Sequence, residues 1–574
     1  MEQIEKLVVE EKWEAAAEAF LSYLDVHSFS ERLSILGATI AYHIGDVELA
    51  FLYIHQGLEL NIYNYELYLV LGDCYAMSNP NQAYLCYENA LYFCERDMGE
   101  NHEDTIYIRK FLESYKENEK VSVKPASFVI LSWNTKELTA ACIESVKNTC
   151  YKDAYELILI DNGSIDGSVE YLKSVPNIKT QFNEKNFGFA GGCNQGIKMA
   201  SEGNDIFLLN SDAEMMPNAL FLLRLGLYAN ESVGAVGAIA NYVGNSQKEF
   251  EKITSPKEAF LFCEKHNLPE QNKSEEKAYL VGFAELIKSA AMNKIGGLNE
   301  DYPIGNYEDN DFGLKMVKNG YRNYLLHNVF IFHWGSESFV KNKVDYMSRL
   351  EKNALIFRDK WGIDASVGET KGELLSIIPK GAERVSFLQI DCGMGGFLSH
   401  LKYQRPNWKV YGTESDKRIE EIGYLELPIE FCDVSNEELP FDKTSMDYIL
   451  IDETLEKQKN PEDFIQRLLP YMKDNGKIIF YVKNSLNAKN IFYLLHGKTV
   501  IDRDRPYTYS CQELIDLIEN QGLNIEDIKF SMKPGDTTKD EPYVEFFDYL
   551  LKEKGIPDRQ EFDTYKFLIM ASLK

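Results

Sequence analysis

Three acidic clusters between residues 126 and 339 contain the side chains of this 574-residue chain that are best suited to chemistry. They occupy residues 160–164, 209–214 and 306–312, and apolar runs directly precede the first two. In an open α/β sheet, ligands bind beyond the carboxyl ends of the strands. Carboxylates at that edge can hold a metal, a nucleotide and a reacting hydroxyl group. The pattern therefore predicts transfer of a group from a sugar nucleotide.

Alternating strands and helices are needed to bring these clusters together. From residue 125 onwards, apolar strand patterns alternate with helical patterns, which predicts a mostly parallel sheet. Residues 245–277 interrupt this alternation, because their composition becomes strongly charged. Two interpretations of that segment are open: an excursion beside the acceptor side of the site, or a solvated surface insertion.

The order and spacing of the motifs resemble the inverting GT-A glycosyltransferases of family 2. The similar stretches are residues 128–134, 161–168, 186–194, 210–212, 296–300, 308–311 and 333–336. They extend over roughly 240 residues, and the specificity comes from their order, since each motif alone is a weak signal. One position departs from the family pattern: Asn210 replaces the first Asp of the Asp-x-Asp motif. Within that motif, only Asp212 can therefore bind a metal ion as an anion.

The resemblance implies catalytic and metal-binding roles for five residues. Asp212 and His333 would hold Mn²⁺ or Mg²⁺, and Asp309 would be the base that deprotonates the acceptor. Glu308 and Asp311 would orient the sugar or the acceptor. Purely structural interpretations are open as well. Asp212 is also typical of a turn, a His in an apolar setting is often a bonded core residue, and acids favour the start of a helix.

The same resemblance implies a set of contacts to the nucleotide sugar. Asp161 would read the N–H of a uracil base or bind the ribose, and the glycines near residue 188 would admit the donor close to the sheet. The alternatives are a plain turn and a flexible loop. The predicted donor-binding residues are Ser132, Asn134, Asp161, Gly188, Asn194 and Asp212.

Residues 1–120 are helical in pattern and repeat. Ala16, Ala50 and Ala83 recur at intervals of 34 and 33 residues, each in a similar apolar context. This spacing resembles tetratricopeptide repeats, in which small residues let paired helices pack closely. The alternative is a generic helical bundle. Repeat arrays bind peptides or mediate self-association, so the resemblance implies a protein acceptor bound here, or a homo-oligomer.

Residues 370–574 resemble class I S-adenosylmethionine-dependent methyltransferases. The loop of that family has the pattern Asp-x-Gly-x-Gly-x-Gly, and we align its Asp with Asp391. Phe397 then occupies the position of the third glycine, and the loop is one residue short. The resemblance implies that Asp391, Gly393, Gly395 and Glu414 bind S-adenosylmethionine. The alternative is a fold that has lost its cofactor and serves in docking or dimerisation.

Composition limits the partners and the compartment. The formal net charge is −29, from 61 basic and 90 acidic residues, which argues against a broad nucleic-acid or anionic-lipid surface. The ten cysteines are scattered, as is typical of reduced cytosolic proteins. The start of the chain lacks the features of a signal peptide, and no apolar run reaches membrane-spanning length. We therefore expect a cytoplasmic protein that is not embedded in a membrane.

Together these features predict a multidomain protein. An all-α repeat domain over residues 1–120 precedes an α/β GT-A domain over 125–365 and an α/β methyltransferase-like domain over 370–574. The predicted activity is transfer of a sugar, such as N-acetylglucosamine, from a UDP-sugar to a Ser or Thr hydroxyl of a bacterial surface protein such as flagellin. The rival hypotheses are transfer to a surface polysaccharide and a non-catalytic scaffold. Since the acidic clusters all follow residue 126, deletion of residues 1–120 is expected to spare the donor site.

Overall fold

The structure is a computed structural model that describes residues 1–250, 252–302, 305–335, 346–381, 383–495, 508–531 and 564–574. It divides into two compact units, Met1–Ala365 and Ser366–Lys574. Ser336, the last residue of the motif that begins at His333, lies outside the described residues.

In the fully described residues 1–120, seven helices follow one another. They are α1 (Glu2–Val9), α2 (Trp13–Leu24), α3 (Glu31–His43), α4 (Val47–Leu60), α5 (Tyr65–Ala76), α6 (Pro80–Met98) and α7 (Glu103–Asn118). Polar side chains cap the first turns of α3 to α7, as when Asp46 accepts the N–H of Leu49 at 3.0 Å. This all-helical region confirms the predicted helical fold class.

Small residues let neighbouring helices approach closely at the predicted spacing. Ala16, Ala50 and Ala83 are fully buried in α2, α4 and α6. A Cβ atom added to Gly72 in α5 would lie 2.2 Å from the ring of Tyr87 in α6. The recurrence of small residues thus follows from helix packing.

An α/β sheet follows the helices in the same unit. Its strands are β1 (Ala126–Ser132), β2 (Tyr155–Asp161), β3 (Lys179–Phe182), β4 (Asp205–Asn210), β6 (Val233–Ile239), β7 (Ser274–Lys277), β8 (Ala284–Ile287) and β9 (Arg322–Phe330), while β5 (Ala213–Glu214) pairs with β10 (Phe332–His333). Its helices are α8 (Lys136–Thr149), α9 (Ser168–Ser174), α10 (Gly188–Met199), α11 (Ala219–Leu227), α12 (Pro256–His266), α13 (Ser289–Ile295), α14 (Glu308–Lys318) and α15 (Tyr346–Trp361).

Within the described residues, the order of the eight main strands is β3-β2-β1-β4-β8-β6-β9-β7. The strands β1 to β4 pair in parallel, whereas β8 is antiparallel to both of its neighbours. Register places Ser132 beside Asp161 and Leu131 beside Asn210. The carboxyl ends of the central strands therefore meet at one edge, as the sequence predicts.

The helical region and this sheet share one core. Apolar residues of α2 to α7 form a continuous cluster with those of β1, β4 and α11. The buried guanidinium group of Arg224 in α11 pairs with Glu88 in α6 and donates to the carbonyl oxygen of Lys124 at 3.1 Å. Asn79 donates to the carbonyl oxygen of Tyr228 at 2.9 Å. The helices thus cover an apolar face of the sheet unit.

This shared core changes the expectation for deletion of residues 1–120. A chain that begins at residue 121 should unfold at a temperature at least about 10 °C lower, because it exposes α11 and leaves the Arg224 charge without its carboxylate. Circular dichroism melts of the two proteins measure the shift. A truncated protein that melts at the full-length temperature and hydrolyses the donor at the full-length rate would contradict this prediction.

The second unit is also an α/β sheet. Its strands are β11 (Ser386–Ile390), β12 (Lys409–Glu414), β13 (Ile429–Phe431), β14 (Met446–Asp452), β15 (Met472–Lys483), β16 (Leu523–Ser531) and β17 (Lys566–Leu573). Its helices are α16 (Gly396–Gln404), α17 (Lys417–Ile422), α18 (Pro461–Leu468), α19 (Ala488–Leu495) and α20 (Cys511–Asn520). The strand order in the described part is β13-β12-β11-β14-β15-β17-β16, and β17 is antiparallel to both of its neighbours.

The predicted succession of a helical region and two α/β sheets is confirmed. Among the helices that the structure describes, none is long and apolar enough to cross a membrane.

Candidate active site

A cavity of about 610 Å³ opens at the carboxyl edge of the first sheet. It brings together residues that are more than a hundred positions apart in the sequence. The predicted site residues that line it are Gly188, Asp212, Glu308, Asp309 and His333. Its volume is within the range of small-molecule sites.

Asp212 and His333 meet at one side of this cavity. The β5–β10 pair aligns Ala213 with His333, which places the carboxylate Oδ1 of Asp212 3.2 Å from the imidazole Nε2. The other ring nitrogen, Nδ1, lies 2.6 Å from the carbonyl oxygen of Tyr242. Because a carbonyl oxygen can only accept, Nδ1 is the ring nitrogen that donates to Tyr242, and Nε2 is the one that faces Asp212.

This pair fits a divalent cation. In the neutral tautomer that has its proton on Nδ1, the imidazole would offer a lone pair at Nε2, and a cation between this atom and the carboxylate would satisfy both groups. Among the described residues, no group of three or more His, Cys, Asp and Glu side chains is arranged as a metal site. A protein contribution of two ligands suits Mg²⁺ or Mn²⁺, which take their other oxygen ligands from phosphate and water.

Glu308 and Asp309 begin α14 and line the same cavity. Glu308 is buried, whereas Asp309 is half-buried and accepts the N–H of Asn310 at 2.9 Å. Burial and the neighbouring charge of Asp309 raise the pKa of Glu308 to about 8. Burial also raises the pKa of Asp309. A half-buried carboxylate with a raised pKa has the properties of a general base.

Asp311 has a different environment from its two acidic neighbours. Its buried carboxylate pairs with Lys360 at 2.6 Å and Lys315 at 3.1 Å, and it accepts the indole N–H of Trp361 at 2.8 Å. These contacts join α14 to α15. Asp311 does not line the cavity, so it can act there only by holding the start of α14 in place.

Four predicted donor-binding residues are not among those that line the cavity. Ser132 bonds Thr139, and the side chain of Asn134 accepts the N–H of Ile165 at 2.8 Å. Asn194 exchanges two hydrogen bonds with the backbone of Leu298. These contacts fix the loops at the strand ends.

Asp161 is the fourth of these residues. Its Oδ1 accepts the N–H groups of Gly163 and Ser164, at 3.1 and 2.9 Å. Its Oδ2 is buried, and no described residue donates a hydrogen bond to it. The neighbouring Asn162 lines the cavity.

Glu285 is a buried carboxyl group near the site that the sequence reasoning missed, although it does not itself line the cavity. It lies in β8, is 2% exposed, and burial together with the charge of Asp309 raises its pKa to about 8. The available signal was a carboxyl group within an otherwise apolar strand, residues 284–287. The carboxyl group of Glu285 therefore tends to stay protonated and neutral.

Substitution of Glu285 by Gln should change how stability depends on pH. An unfolded Glu titrates near pH 4.5, so between that pH and about 8 the folded protein binds one more proton than the unfolded chain. The stability that the protonated group contributes is therefore lost as the pH rises through this window. Relative to that of wild type, the free energy of unfolding of Glu285→Gln should therefore increase between pH 5 and 8, by no more than about 1.4 kcal/mol per pH unit.

Denaturant titrations at both pH values measure this effect, with exposed Glu202→Gln as the control. If Glu285→Gln and wild type keep a constant difference from pH 5 to pH 8, the assignment of a protonated Glu285 is wrong.

The second unit contains a cavity of about 450 Å³ at the carboxyl ends of its strands. Asp391, Gly393 and Glu414 line it. Asp391 has a φ of 48°, in the left-handed region that favours glycine, and Gly393 and Gly395 also have positive φ. These three residues thus form the turn that follows β11, and their role in binding S-adenosylmethionine stays a prediction.

Some polar groups of this second cavity are bonded within the chain. Both oxygens of Glu414 accept backbone N–H groups, from Gly393 at 2.7 Å and from Ser415 and Asp416 at 2.8 Å. In contrast, Gln389 Oε1 and Asp452 Oδ1 are buried, and no described residue donates a hydrogen bond to either atom.

The chain itself approaches the glycine loop of the second unit. A Cβ atom on Gly393 would lie 2.4 Å from the carbonyl oxygen of Val367, and the buried carboxylate of Asp452 pairs with Lys371. The cavity lies beside this contact. Binding of S-adenosylmethionine by these residues stays a prediction, and we derive no methyl transfer from them.

Comparison with known proteins identifies two domains. Residues 127–293 match the model of glycosyl transferase family 2, and residues 367–528 match the model of a methyltransferase domain. Among curated proteins, the chain is 27% identical over 105 residues to N-methyltransferase 4 of Papaver somniferum, a match that covers 17% of this chain. The chain spans 29% of the length of that relative.

Two solved structures are similar to parts of this chain. GalNAc-T7 with UDP, GalNAc and Mn²⁺ is 15% identical, with 45% of this chain and 52% of that chain covered at a TM-score of 0.34. A SAM-dependent methyltransferase from Archaeoglobus fulgidus is 16% identical, with 38% and 98% covered at a TM-score of 0.28. On the two family models, the chain carries a glycosyl transferase family 2 domain followed by a methyltransferase domain.

Proposed function

We propose that the protein is a metal-dependent inverting glycosyltransferase. It moves a sugar, such as N-acetylglucosamine, from a UDP-sugar to a Ser or Thr hydroxyl of a bacterial surface protein such as flagellin. One observation carries the proposal: a metal-binding pair and a carboxylate with a raised pKa face the same cavity at the strand ends. The match to glycosyl transferase family 2 supports the reaction class.

The cavity supports a single displacement. Asp309 accepts the proton of the acceptor hydroxyl as its oxygen attacks the anomeric carbon, and attack opposite the leaving group inverts that centre. Glu308, whose pKa is raised to about 8, is neutral at pH 7 and leaves Asp309 as the ionised member of the pair. Asp212 and His333 would hold Mn²⁺ or Mg²⁺, which neutralises the diphosphate as it leaves.

The nucleoside is bound beside Asp161. Its buried Oδ2 lacks a donor within the described part of the chain, and the N–H of a uracil base would provide one. Gly188 lines the cavity and admits the donor, while Ser132, Asn134 and Asn194 hold the surrounding loops.

The proposed organisation assigns the acceptor to the repeats. Residues 1–120 bind the protein acceptor or join copies of the chain, residues 125–365 transfer the sugar, and residues 370–574 form the methyltransferase-like domain. The proposed location is the cytoplasm, and the net charge of −29 argues against nucleic-acid partners.

The test is incubation of the purified protein with flagellin, Mn²⁺ and a panel of sugar nucleotides, followed by intact-mass measurement. The expected result is a mass gain of one or more sugar residues on flagellin with a UDP-sugar. If no sugar nucleotide is consumed under any condition, the scaffold hypothesis is favoured instead. Transfer only in the presence of a membrane fraction would indicate a polysaccharide or lipid-linked acceptor.

A further inference from the structure

The loop that follows β6 holds Lys248 between two anchored neighbours. On one side, the fully buried side chain of Gln247 donates to the carbonyl oxygen of Ala238 at 3.2 Å and accepts the N–H of Val281 at 2.7 Å. Both partners belong to the sheet region beneath the cavity. Gln247 therefore holds the loop in a fixed position relative to Ala238 and Val281.

On the other side, Glu249 is tied to a buried charge network. Its Oε1 lies 2.6 Å from Nδ1 of His327, whose Nε2 lies 2.8 Å from Glu275. Lys277 pairs with Glu275 at 2.6 Å, and all of these groups except Glu249 are buried. Since a buried charge is costly unless it is paired, this network holds Glu249 firmly.

The backbone of this loop is strained. Asn245, Ser246 and Phe250 have φ angles of 53°, 55° and 57°, in the left-handed region that non-glycine residues rarely adopt. Strained residues persist only where surrounding contacts hold them, and they cluster at functional sites. The contacts of Gln247 and Glu249 hold these strained residues in place. The loop therefore has a defined conformation, unlike a solvated surface insertion.

Lys248 projects from this loop to the cavity, on the side of the metal pair. It is exposed and lines the cavity, and its ammonium group lies 5.9 Å from the ring centre of Tyr242. The carbonyl oxygen of Tyr242 is the partner of His333 Nδ1. Among the described residues that line the cavity, Lys248 is the only lysine or arginine.

We propose that Lys248 binds the diphosphate of the donor and stabilises the charge that develops on it as the sugar leaves. This inference rests on the proposed function. In that step, the acceptor oxygen forms a bond to the anomeric carbon, and the bond from that carbon to the phosphate oxygen breaks. Its electron pair stays on the diphosphate, and the hydroxyl proton moves to Asp309. An ammonium group at this side of the cavity would meet the added negative charge.

The experiment compares Lys248→Met with Lys257→Met, which removes the same charge from an exposed residue outside the cavity. Calorimetry with Mn²⁺ measures binding of uridine, UDP and inorganic pyrophosphate, and donor turnover is measured in parallel. Lys248→Met should weaken UDP and pyrophosphate binding about tenfold and lower kcat by about 10- to 100-fold. Uridine binding should stay unchanged, and Lys257→Met should match wild type. Lys248→Arg should keep most of the affinity for pyrophosphate.

Two results would overturn the assignment. In the first, Lys248→Met binds UDP and pyrophosphate as tightly as Lys257→Met does. In the second, its affinity for uridine falls as much as that for UDP, because the effect then arises from the loop and not from a phosphate contact. If the wild type binds pyrophosphate through Lys248 but transfers sugar from no nucleotide, the proposed function and the role of Lys248 in the transfer step both fail, while the assignment of Lys248 to diphosphate binding stands.

Discussion

Asp309→Asn should abolish sugar transfer while leaving the affinity for the UDP-sugar nearly intact. Asn keeps the size of the side chain and its place at the start of α14, but it cannot take a proton. Loss of a general base lowers turnover by on the order of 10²–10⁴-fold. Transfer rates and UDP-sugar binding measured on the same preparation check this prediction.

Two further variants separate catalysis from folding in this experiment. Asp301→Asn makes the same change on an exposed residue outside the cavity and should keep wild-type turnover. Asp311→Asn weakens the pairing with Lys360 and Lys315, so it should lower the melting temperature as well as the rate. An Asp309→Asn protein that keeps more than about one-tenth of wild-type turnover would rule out Asp309 as the base.

Asp212→Ala should weaken donor binding and remove the response to added Mn²⁺. Asn210 is neutral, so no other anion in residues 210–212 can replace the lost carboxylate. A metal at the leaving group is worth several kcal/mol of transition-state stabilisation, so turnover should fall by about 10²-fold or more. Manganese titrations of turnover and of UDP affinity provide the measurement.

Asn210→Asp offers a change in the opposite direction at the same site. It adds a second carboxylate near His333, whose Nε2 lies 3.5 Å from the side chain of Asn210. This variant should reach half-maximal activity at a lower Mn²⁺ concentration than wild type. The metal assignment would be untenable if Asp212→Ala retained a wild-type Mn²⁺ response.

Both predictions concern residues that were found from the sequence, and for a local reason. Asp212 follows an apolar strand directly, and Asp309 starts an amphipathic helix, so neighbouring residues determine both positions. Parallel strands then bring such positions to one edge of the sheet. The fold class followed from the same local patterns, since the periodicity of apolar residues distinguishes the helical region from the strands.

Contacts between distant segments could not be predicted from local sequence patterns. Nothing near Glu285 or Lys248 in the sequence shows that the first lies beside Asp309 or that the second lines the cavity. In the same way, Asp311 belongs to an acidic motif, but its contacts with Lys360 and Trp361 depend on how α15 packs on α14. Acidic residues of the same motif therefore have different roles.

The sequence by itself therefore determined the elements, their order and the residues at the strand ends. Only the tertiary structure decided that residues 1–120 share a core with the first sheet and that Glu414 is bonded to its own loop. The physical reason is that secondary structure depends on residues a few positions apart, whereas burial, pKa and pairing depend on segments that meet only when the chain packs.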